Sequence, residues 1–147
     1  MKVAAGQGGN KPLYFDGNRL MVVYENTGNV DYSTIATSGK GAYMNNPSSQ
    51  NIQYVGPIPQ GNYAIDNTKW SQQSILRQMY NIVAGNADWG DYNVPLIPTT
   101  YQGTRNSFYL HGGFFVGSAG CIDAGQNIGN IYNIINTQSV TTLRVRY

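Results

Sequence analysis

The sequence predicts a mostly β fold with peripheral helices, and three features indicate this class. "KPLYFDGNRLMVVYEN" places Asp16-Gly17 between two runs of β-branched and aromatic residues, which is the strongest short-range signal for a β-hairpin. The last residues, "SVTTLRVRY", come close to the alternation that a closing strand requires. Helical spacing of apolar residues is confined to two segments.

The segments between these ends predict further strands. Residues 27–61 are rich in turn residues, and one short strand is expected near residues 33–37. "VGPIPQGNYAI" then places two prolines and a glycine before a strand at residues 62–65, so the chain enters this strand through a rigid turn. Residues 106–111 predict a strand that runs into Gly112-Gly113.

Two helices and one loop complete the predicted elements. Residues 71–84 predict a helix that ends at Gly85, and its apolar positions are Ile75, Leu76, Met79, Tyr80 and Val83. A second helix is expected after Cys121, with apolar positions Ile128, Ile131, Tyr132 and Ile135. Residues 86–105 contain several prolines and glycines and predict a loop, or short extended pieces at most.

Size and charge limit the classes of function. A chain of 147 residues is about one domain long, so we expect residues 1–147 to form a single domain. A net charge of +2 without a Lys/Arg cluster predicts neither nucleic acid nor an anionic membrane as partner. No apolar run reaches the ~18 residues of a membrane span. The start, "MKVAAGQGGNKP", lacks an apolar stretch, so we expect no signal peptide and synthesis in the cytoplasm.

The chain's only histidine and only cysteine lie ten positions apart in "FYLHGGFFVGSAGCIDAG". A single cysteine excludes an internal disulfide, and with a histidine elsewhere it is a candidate nucleophile. We expect His111 at the end of a strand and Cys121 at the start of a helix, where the helix N-terminus or a nearby imidazolium favours the thiolate. The glycines of "GSAGC" would let the backbone amides of Ala119, Gly120 and Cys121 approach a reacting carbonyl.

Structural alternatives remain open for each candidate. A cysteine is often a small buried hydrophobe, and a histidine is often a hydrogen-bonded structural residue. One cysteine and one histidine would need carboxylates of no evident spacing to bind zinc, so neither a metal nor another cofactor is expected.

Five further residues are candidates for the walls of the cleft. Trp89 and Tyr92 would contact substrate or simply pack, and Tyr109 precedes the histidine by two positions. Arg105 is either a surface cation or a clamp for a substrate carboxylate. Asp123 is either a cap in the first turn of the second helix or a catalytic group.

"HGG…GSAGCID", together with "GPIPQGNY" and "YFDGNRL", resembles the L,D-transpeptidase family over residues 13–135. The chain looks most like the small branch that type VI secretion systems deliver as peptidoglycan-targeting effectors. The resemblance implies a β-sandwich or barrel-like sheet, with Cys121 as nucleophile and His111 as base. It implies that Ser118 and Gly120 shape the nucleophile loop, and that the Gly112 carbonyl orients the imidazole.

Two positions depart from the pattern of the housekeeping members. Many of those enzymes carry a histidine two residues before the cysteine and an arginine two residues after it. Here these positions are Ala119 and Asp123. The departures fit the effector-like branch better than ordinary cross-linking of the wall.

The resemblance also implies a reaction and its partners. The Cys121 thiolate would attack the carbonyl between the diamino acid at position three of a stem tetrapeptide and its terminal D-alanine. Water, a free D-amino acid or a neighbouring stem would then give an L,D-carboxypeptidase reaction, an exchange or a 3–3 cross-link. The expected partners are peptidoglycan stem peptides, the type VI secretion apparatus and a cognate immunity protein, with delivery to the periplasm of target bacteria.

Two other functions fit the same residues. A sortase-like transpeptidase also uses a cysteine and a histidine, and it needs an arginine after the cysteine, which Arg144 would supply. The short spacing from histidine to cysteine speaks against it. A non-catalytic cell-wall-binding module would instead use the polar, tyrosine-rich surface and keep Cys121 as a structural residue.

Overall fold

The computed structural model of the chain describes residues 11–72, 92–113 and 118–147. Their strands are β1 (Leu13–Phe15), β2 (Arg19–Val23), β3 (Val30–Ile35), β4 (Thr37–Gly39), β5 (Gly61–Ile65), β6 (Ser71–Gln72), β7 (Tyr92–Pro98), β8 (Phe108–His111), β9 (Ser118–Asp123) and β10 (Thr142–Val145). The helix α1 spans Ile128–Thr137, and single 3₁₀ turns occupy Gly41–Tyr43, Pro47–Ser49 and Gly125–Asn127. No helix of the described ranges has the length and apolar character needed to cross a membrane.

The strands form one mostly antiparallel sheet in the order β3-β2-β1-β10-β5-β7-β8-β9-β4, with β6 beside β7. A single residue, Ala36, joins β3 to β4, the two ends of this order. The sheet therefore curves into a nearly closed, barrel-like shape, which confirms the predicted fold class.

The predicted hairpin is confirmed at β1 and β2. Gly17 has φ +100°, a left-handed conformation that glycine adopts without steric cost. The Asp16 carboxylate accepts the amides of Asn18 and Arg19 at 2.9 and 2.8 Å, which fixes the turn. The predicted closing strand is also confirmed, and β10 lies inside the sheet, parallel to β1 and antiparallel to β5.

The prediction of a loop at residues 86–105 is wrong for its middle part. β7 is a seven-residue strand inside the sheet, paired with β5 and β6 on one side and β8 on the other. Pro95 is tolerated because its carbonyl faces Asp66, just past the last β5–β7 pair, Ile65 with Leu96. The nitrogen of Pro95 points to the same side, where β5 has ended and no ladder bond is lost. Residues 86–91 lie outside the described residues.

The two helix predictions have different outcomes. Ser71 and Gln72 form β6, and residues 73–85 lie outside the described residues. The second helix is confirmed as α1, which buries Ile128, Ile131 and Ile135 against the core. It begins seven residues after Cys121, however, because residues 118–123 pair with β8 on one side and β4 on the other. The expectation that Cys121 opens a helix is therefore wrong, and its thiol does not lie at the N-terminus of α1.

Candidate active site

The register of β8 and β9 brings His111 and Cys121 to one face of the sheet. These strands are parallel, with Leu110 opposite Ile122 and His111 opposite Asp123. Side chains alternate along a strand, so Cys121 shares the face of Asp123 and hence of His111. A strand spacing of ~4.8 Å and a rise of ~3.3 Å per residue put the Cα atoms of His111 and Cys121 about 8 Å apart. Both residues are buried, with 2 % and 4 % of their surface exposed.

The carbonyl of Gly112 fixes the protonation of the imidazole. It lies 2.7 Å from Nδ1 of His111. Because a carbonyl oxygen only accepts hydrogen bonds, the ring proton sits on Nδ1, and in the neutral ring Nε2 carries the lone pair. A side chain at position 112 would meet the Gly125 carbonyl at 2.5 Å and the Ile128 side chain, so only glycine fits there. The contact is the one expected between Gly112 and the imidazole.

The backbone around Cys121 is held by groups from distant parts of the chain. The Ser38 hydroxyl is fully buried and donates to the Cys121 carbonyl at 2.5 Å. The Ile58 amide donates to the same hydroxyl at 2.8 Å. The sequence did not predict a role for Ser38, which lies in a stretch rich in turn residues. No local pattern marks this serine, because its hydrogen-bond partner, the Cys121 carbonyl, is 83 positions away.

Gly120 adopts a conformation that requires glycine. Its φ is +69°, and a Cβ there would lie 3.0 Å from Nη2 of Arg105 and 3.2 Å from the Phe108 ring. Its amide donates to the Gly56 carbonyl at 3.0 Å. This amide is already engaged, which removes it from the expected oxyanion donors. The amides of Ala119 and Cys121 keep that role as predictions; the Ser118 backbone pairs with Gly39, and the side chains of residues 118 and 119 are not described.

Arg105 is not the surface cation that the sequence suggested. Only 8 % of its surface is exposed, and it donates to the carbonyls of Gly56 at 3.0 Å, Pro57 at 2.7 Å and Gln50. Burial lowers the pKa of Arg105, and this effect outweighs the nearby phenols that raise it. A substrate carboxylate would have to compete with three backbone carbonyls for this guanidinium.

Asp123 does not cap the predicted helix. It ends β9 and is 4 % exposed, and its Oδ1 accepts a hydrogen bond at 2.8 Å from the amide of Gly125, the first residue of the short 3₁₀ turn. Tyr109 is half-buried and, by alternation along β8, shares the face of His111. Both residues therefore keep a place beside the candidate site, and a role in binding substrate stays a prediction for each.

Of the two aromatic candidates, Trp89 and Tyr92, the structure describes only Tyr92. Tyr92 stacks on Tyr132 of α1 with ring centroids 4.1 Å apart, and Trp70 packs edge-on against both rings. These contacts agree with the packing alternative for Tyr92. Trp89 lies outside the described residues.

A metal centre finds no support in the described ranges, 11–72, 92–113 and 118–147. No group of three or more His, Cys, Asp or Glu side chains there could hold an ion.

Comparison with protein families identifies the chain. The model of the Tlde1 domain matches residues 33–144, which include both β8 and β9. The chain belongs to the Tlde1 domain family. This is the L,D-transpeptidase effector family of type VI secretion, so membership confirms the resemblance.

Two solved structures share the fold of this Tlde1 domain. Bd1075 of Bdellovibrio bacteriovorus matches with a TM-score of 0.55 and 14% identity, over 92% of this chain and 47% of that chain. L,D-transpeptidase 1 of Mycobacterium tuberculosis matches with a TM-score of 0.50 and 15% identity, over 94% and 62%. The chain thus spans less than two thirds of either protein, and at these identities the likeness concerns the fold alone. No curated protein sequence matches the chain.

Proposed function

We propose that this Tlde1 domain is a cysteine-dependent acyl transferase that acts on peptidoglycan stem tetrapeptides. It would remove the terminal D-alanine as an L,D-carboxypeptidase, or exchange it as an L,D-transpeptidase. One observation carries the proposal: the parallel pairing of β8 and β9 puts the chain's only histidine and only cysteine on one face of the sheet. Family membership supports the class of substrate.

The chemistry follows from the tautomer of His111. With its proton on Nδ1, the neutral ring accepts the thiol proton of Cys121 at Nε2. The thiolate attacks the carbonyl that precedes D-alanine and forms a tetrahedral intermediate. His111 then returns the proton to the departing amine, the C–N bond breaks, and the acyl group remains on the sulfur as a thioester. Water or the amine of a D-amino acid then attacks the thioester carbonyl and gives a proton to His111. The C–S bond breaks, and His111 returns the proton to the sulfur of Cys121.

This reaction accounts for an antibacterial role. Loss or exchange of the terminal D-alanine consumes the tetrapeptides that cross-linking requires, so the wall of the target is weakened. Delivery by type VI secretion to the target's periplasm and a cognate immunity protein in the producer belong to the same proposal. An immunity protein that covers the site would protect Cys121 from alkylation; a neutralising partner that leaves the alkylation rate unchanged would contradict that mode of protection.

The sortase-like alternative has little support in the sheet. Arg144 would have to reach the reacting groups, but it lies on β10, four strands along the sheet order from β9. It forms an ion pair with Glu25 at 2.9 Å. These observations favour the proposed function over the sortase-like alternative.

The test is mass spectrometry of a disaccharide tetrapeptide after incubation with the protein, with and without a free D-amino acid. We expect loss or exchange of the terminal alanine with the native protein, and an unchanged substrate with Cys121→Ala or His111→Ala. A muropeptide that stays intact beside an active control enzyme would overturn the proposal. It would favour the wall-binding module. Binding of Cys121→Ala and His111→Ala to intact sacculi would then be measured to test that function.

A further inference from the structure

Residues 56–59, the "GPIP" of the proline-rich turn, are held by side chains at each of their four carbonyl groups. Arg105 donates to the first two carbonyls, at 3.0 and 2.7 Å. Tyr147 donates to the third, and Tyr63 donates to the fourth at 2.6 Å. Because side-chain donors that are buried or half-buried satisfy all four carbonyl groups, this turn is a rigid element rather than a loose connection.

This turn contacts the strand of the candidate nucleophile at two points. The Gly56 carbonyl accepts the amide of Gly120, the residue before Cys121, at 3.0 Å. On the other side of the cysteine, the Ser38 hydroxyl links the Cys121 carbonyl at 2.5 Å to the Ile58 amide at 2.8 Å. The peptide group that follows Cys121, and the peptide group between residues 119 and 120, are thus tied to the turn.

We propose that Arg105 is a positioning residue for Cys121, which it controls through the Gly56 carbonyl. This inference rests on the proposed role of Cys121 as nucleophile. A carbonyl oxygen has two acceptor positions, and that of Gly56 serves Nη2 of Arg105 and the amide of Gly120 together. When Arg105 is removed, the turn loses the donor that holds this carbonyl in place, and residue 120 loses its anchor.

Two further contacts connect Arg105 with the strands of the candidate site, one with Phe108 on β8 and one at Gly120 on β9. The guanidinium lies over the Phe108 ring at 5.8 Å and fills the space in which a side chain at position 120 would stand. Burial lowers the pKa of Arg105, while negative charge on nearby phenols and on Cys121 opposes that effect. The interaction is mutual, so a positive Arg105 also favours the thiolate form of Cys121.

The test compares Arg105→Met and Arg105→Lys with Tyr63→Phe as the matched control. Tyr63→Phe removes a buried bond to the same turn, but at the Pro59 carbonyl, which does not contact the nucleophile strand in the described contacts. For each variant we would measure the thermal midpoint, the rate of Cys121 alkylation by iodoacetamide against pH, and kcat and KM on the tetrapeptide.

We expect Arg105→Met to lower kcat roughly 10–100-fold with KM changed less than about twofold, because the nucleophile is misplaced. Its alkylation profile should move to higher pH. Arg105→Lys keeps the positive charge but loses the planar guanidinium that donates to two carbonyl groups of the turn. Its alkylation profile should therefore stay the same, while its kcat should be lower than that of the native protein. Tyr63→Phe should be less stable, with kcat and alkylation within about twofold of the native protein.

The inference is overturned if the arginine variants and Tyr63→Phe have the same kcat and alkylation profile. If Arg105→Met does not fold, the inference is tested with Arg105→Lys and Ser38→Ala. Ser38→Ala removes the hydroxyl that links the Cys121 carbonyl to the Ile58 amide of the turn. Alkylation needs no substrate, so it tests the positioning even if the native protein leaves the tetrapeptide intact. An intact tetrapeptide would overturn the proposed function, but it would not overturn the positioning of Cys121 by Arg105.

Discussion

Replacement of Gly120 by alanine probes the backbone directly before the candidate nucleophile. Two separate costs are expected from the structure. The residue has φ +69°, and an L-residue pays about 1–2 kcal/mol in this left-handed region. The new methyl group would also lie 3.0 Å from Nη2 of Arg105 and 3.2 Å from the Phe108 ring, which must both move by a few tenths of an ångström. Overpacking of this kind costs about 1–3 kcal/mol.

The two costs add to roughly 2–5 kcal/mol for Gly120→Ala. For a domain of this size, each kcal/mol lowers the thermal midpoint by about 2–4 °C, so a drop of at least about 4 °C is expected. Gly28→Ala is the control, because Gly28 has φ +75° and no atom within 4 Å of an added Cβ. That variant pays the backbone cost alone.

Thermal unfolding of the two variants, followed by circular dichroism, separates the costs. We expect Gly120→Ala to unfold at a lower temperature than Gly28→Ala, and only Gly120→Ala to lose turnover on the tetrapeptide. Equal midpoints for the two variants would refute the packing of Gly120 against Arg105. Full turnover of Gly120→Ala would refute the claim that this backbone sets the position of Cys121.

Two further predictions concern the imidazole and the buried phenols. In Gly112→Ala the added methyl group would clash with the Gly125 carbonyl and displace the carbonyl that orients His111, so kcat should fall at least about tenfold. The control is Gly129→Ala, on α1, where an added Cβ meets no atom within 4 Å; it should keep kcat and gain about 0.5–1 kcal/mol of stability. Equal kcat in both variants would contradict the role of Gly112. Burial raises the pKa of Tyr63 and of Tyr147 above the ordinary value of 10.0. Since the unfolded chain gives up these protons first, the stability they contribute is complete below about pH 10 and is lost as the pH rises above it. Urea unfolding between pH 8 and 11 should show this decline, with a shallower slope in Tyr63→Phe, and an unchanged slope would contradict the buried state of that phenol.

Local sequence patterns predicted those elements whose determinants are close together in the chain. The first hairpin follows from Asp16-Gly17, and α1 follows from apolar residues three and four positions apart. β7 escaped prediction because Pro95 and Pro98 suggested a loop. Whether a strand tolerates proline depends on which side its nitrogen faces, and that is set by the end of β5 elsewhere in the chain.

The candidate site divides in the same way. His111 and Cys121 are candidates because the only histidine and the only cysteine lie in one stretch of sequence, and the family resemblance implies the orienting carbonyl of Gly112. The prediction of a helix that begins at Cys121 is wrong, because residues 118–123 form a strand that pairs with β8 and β4. Ser38 and the role of Arg105 in holding the turn could not be read from spacing, since they depend on bonds across 83 and 49 positions.

Trapping of the acyl-enzyme tests the central claim most directly. The protein would be mixed with the disaccharide tetrapeptide, quenched in acid at short times and analysed by intact mass and by peptide mapping. We expect an adduct of the substrate minus D-alanine on the peptide that contains Cys121, with release of D-alanine, and neither product with Cys121→Ala. Release of D-alanine by Cys121→Ala at the native rate, or an adduct on another residue, would contradict it.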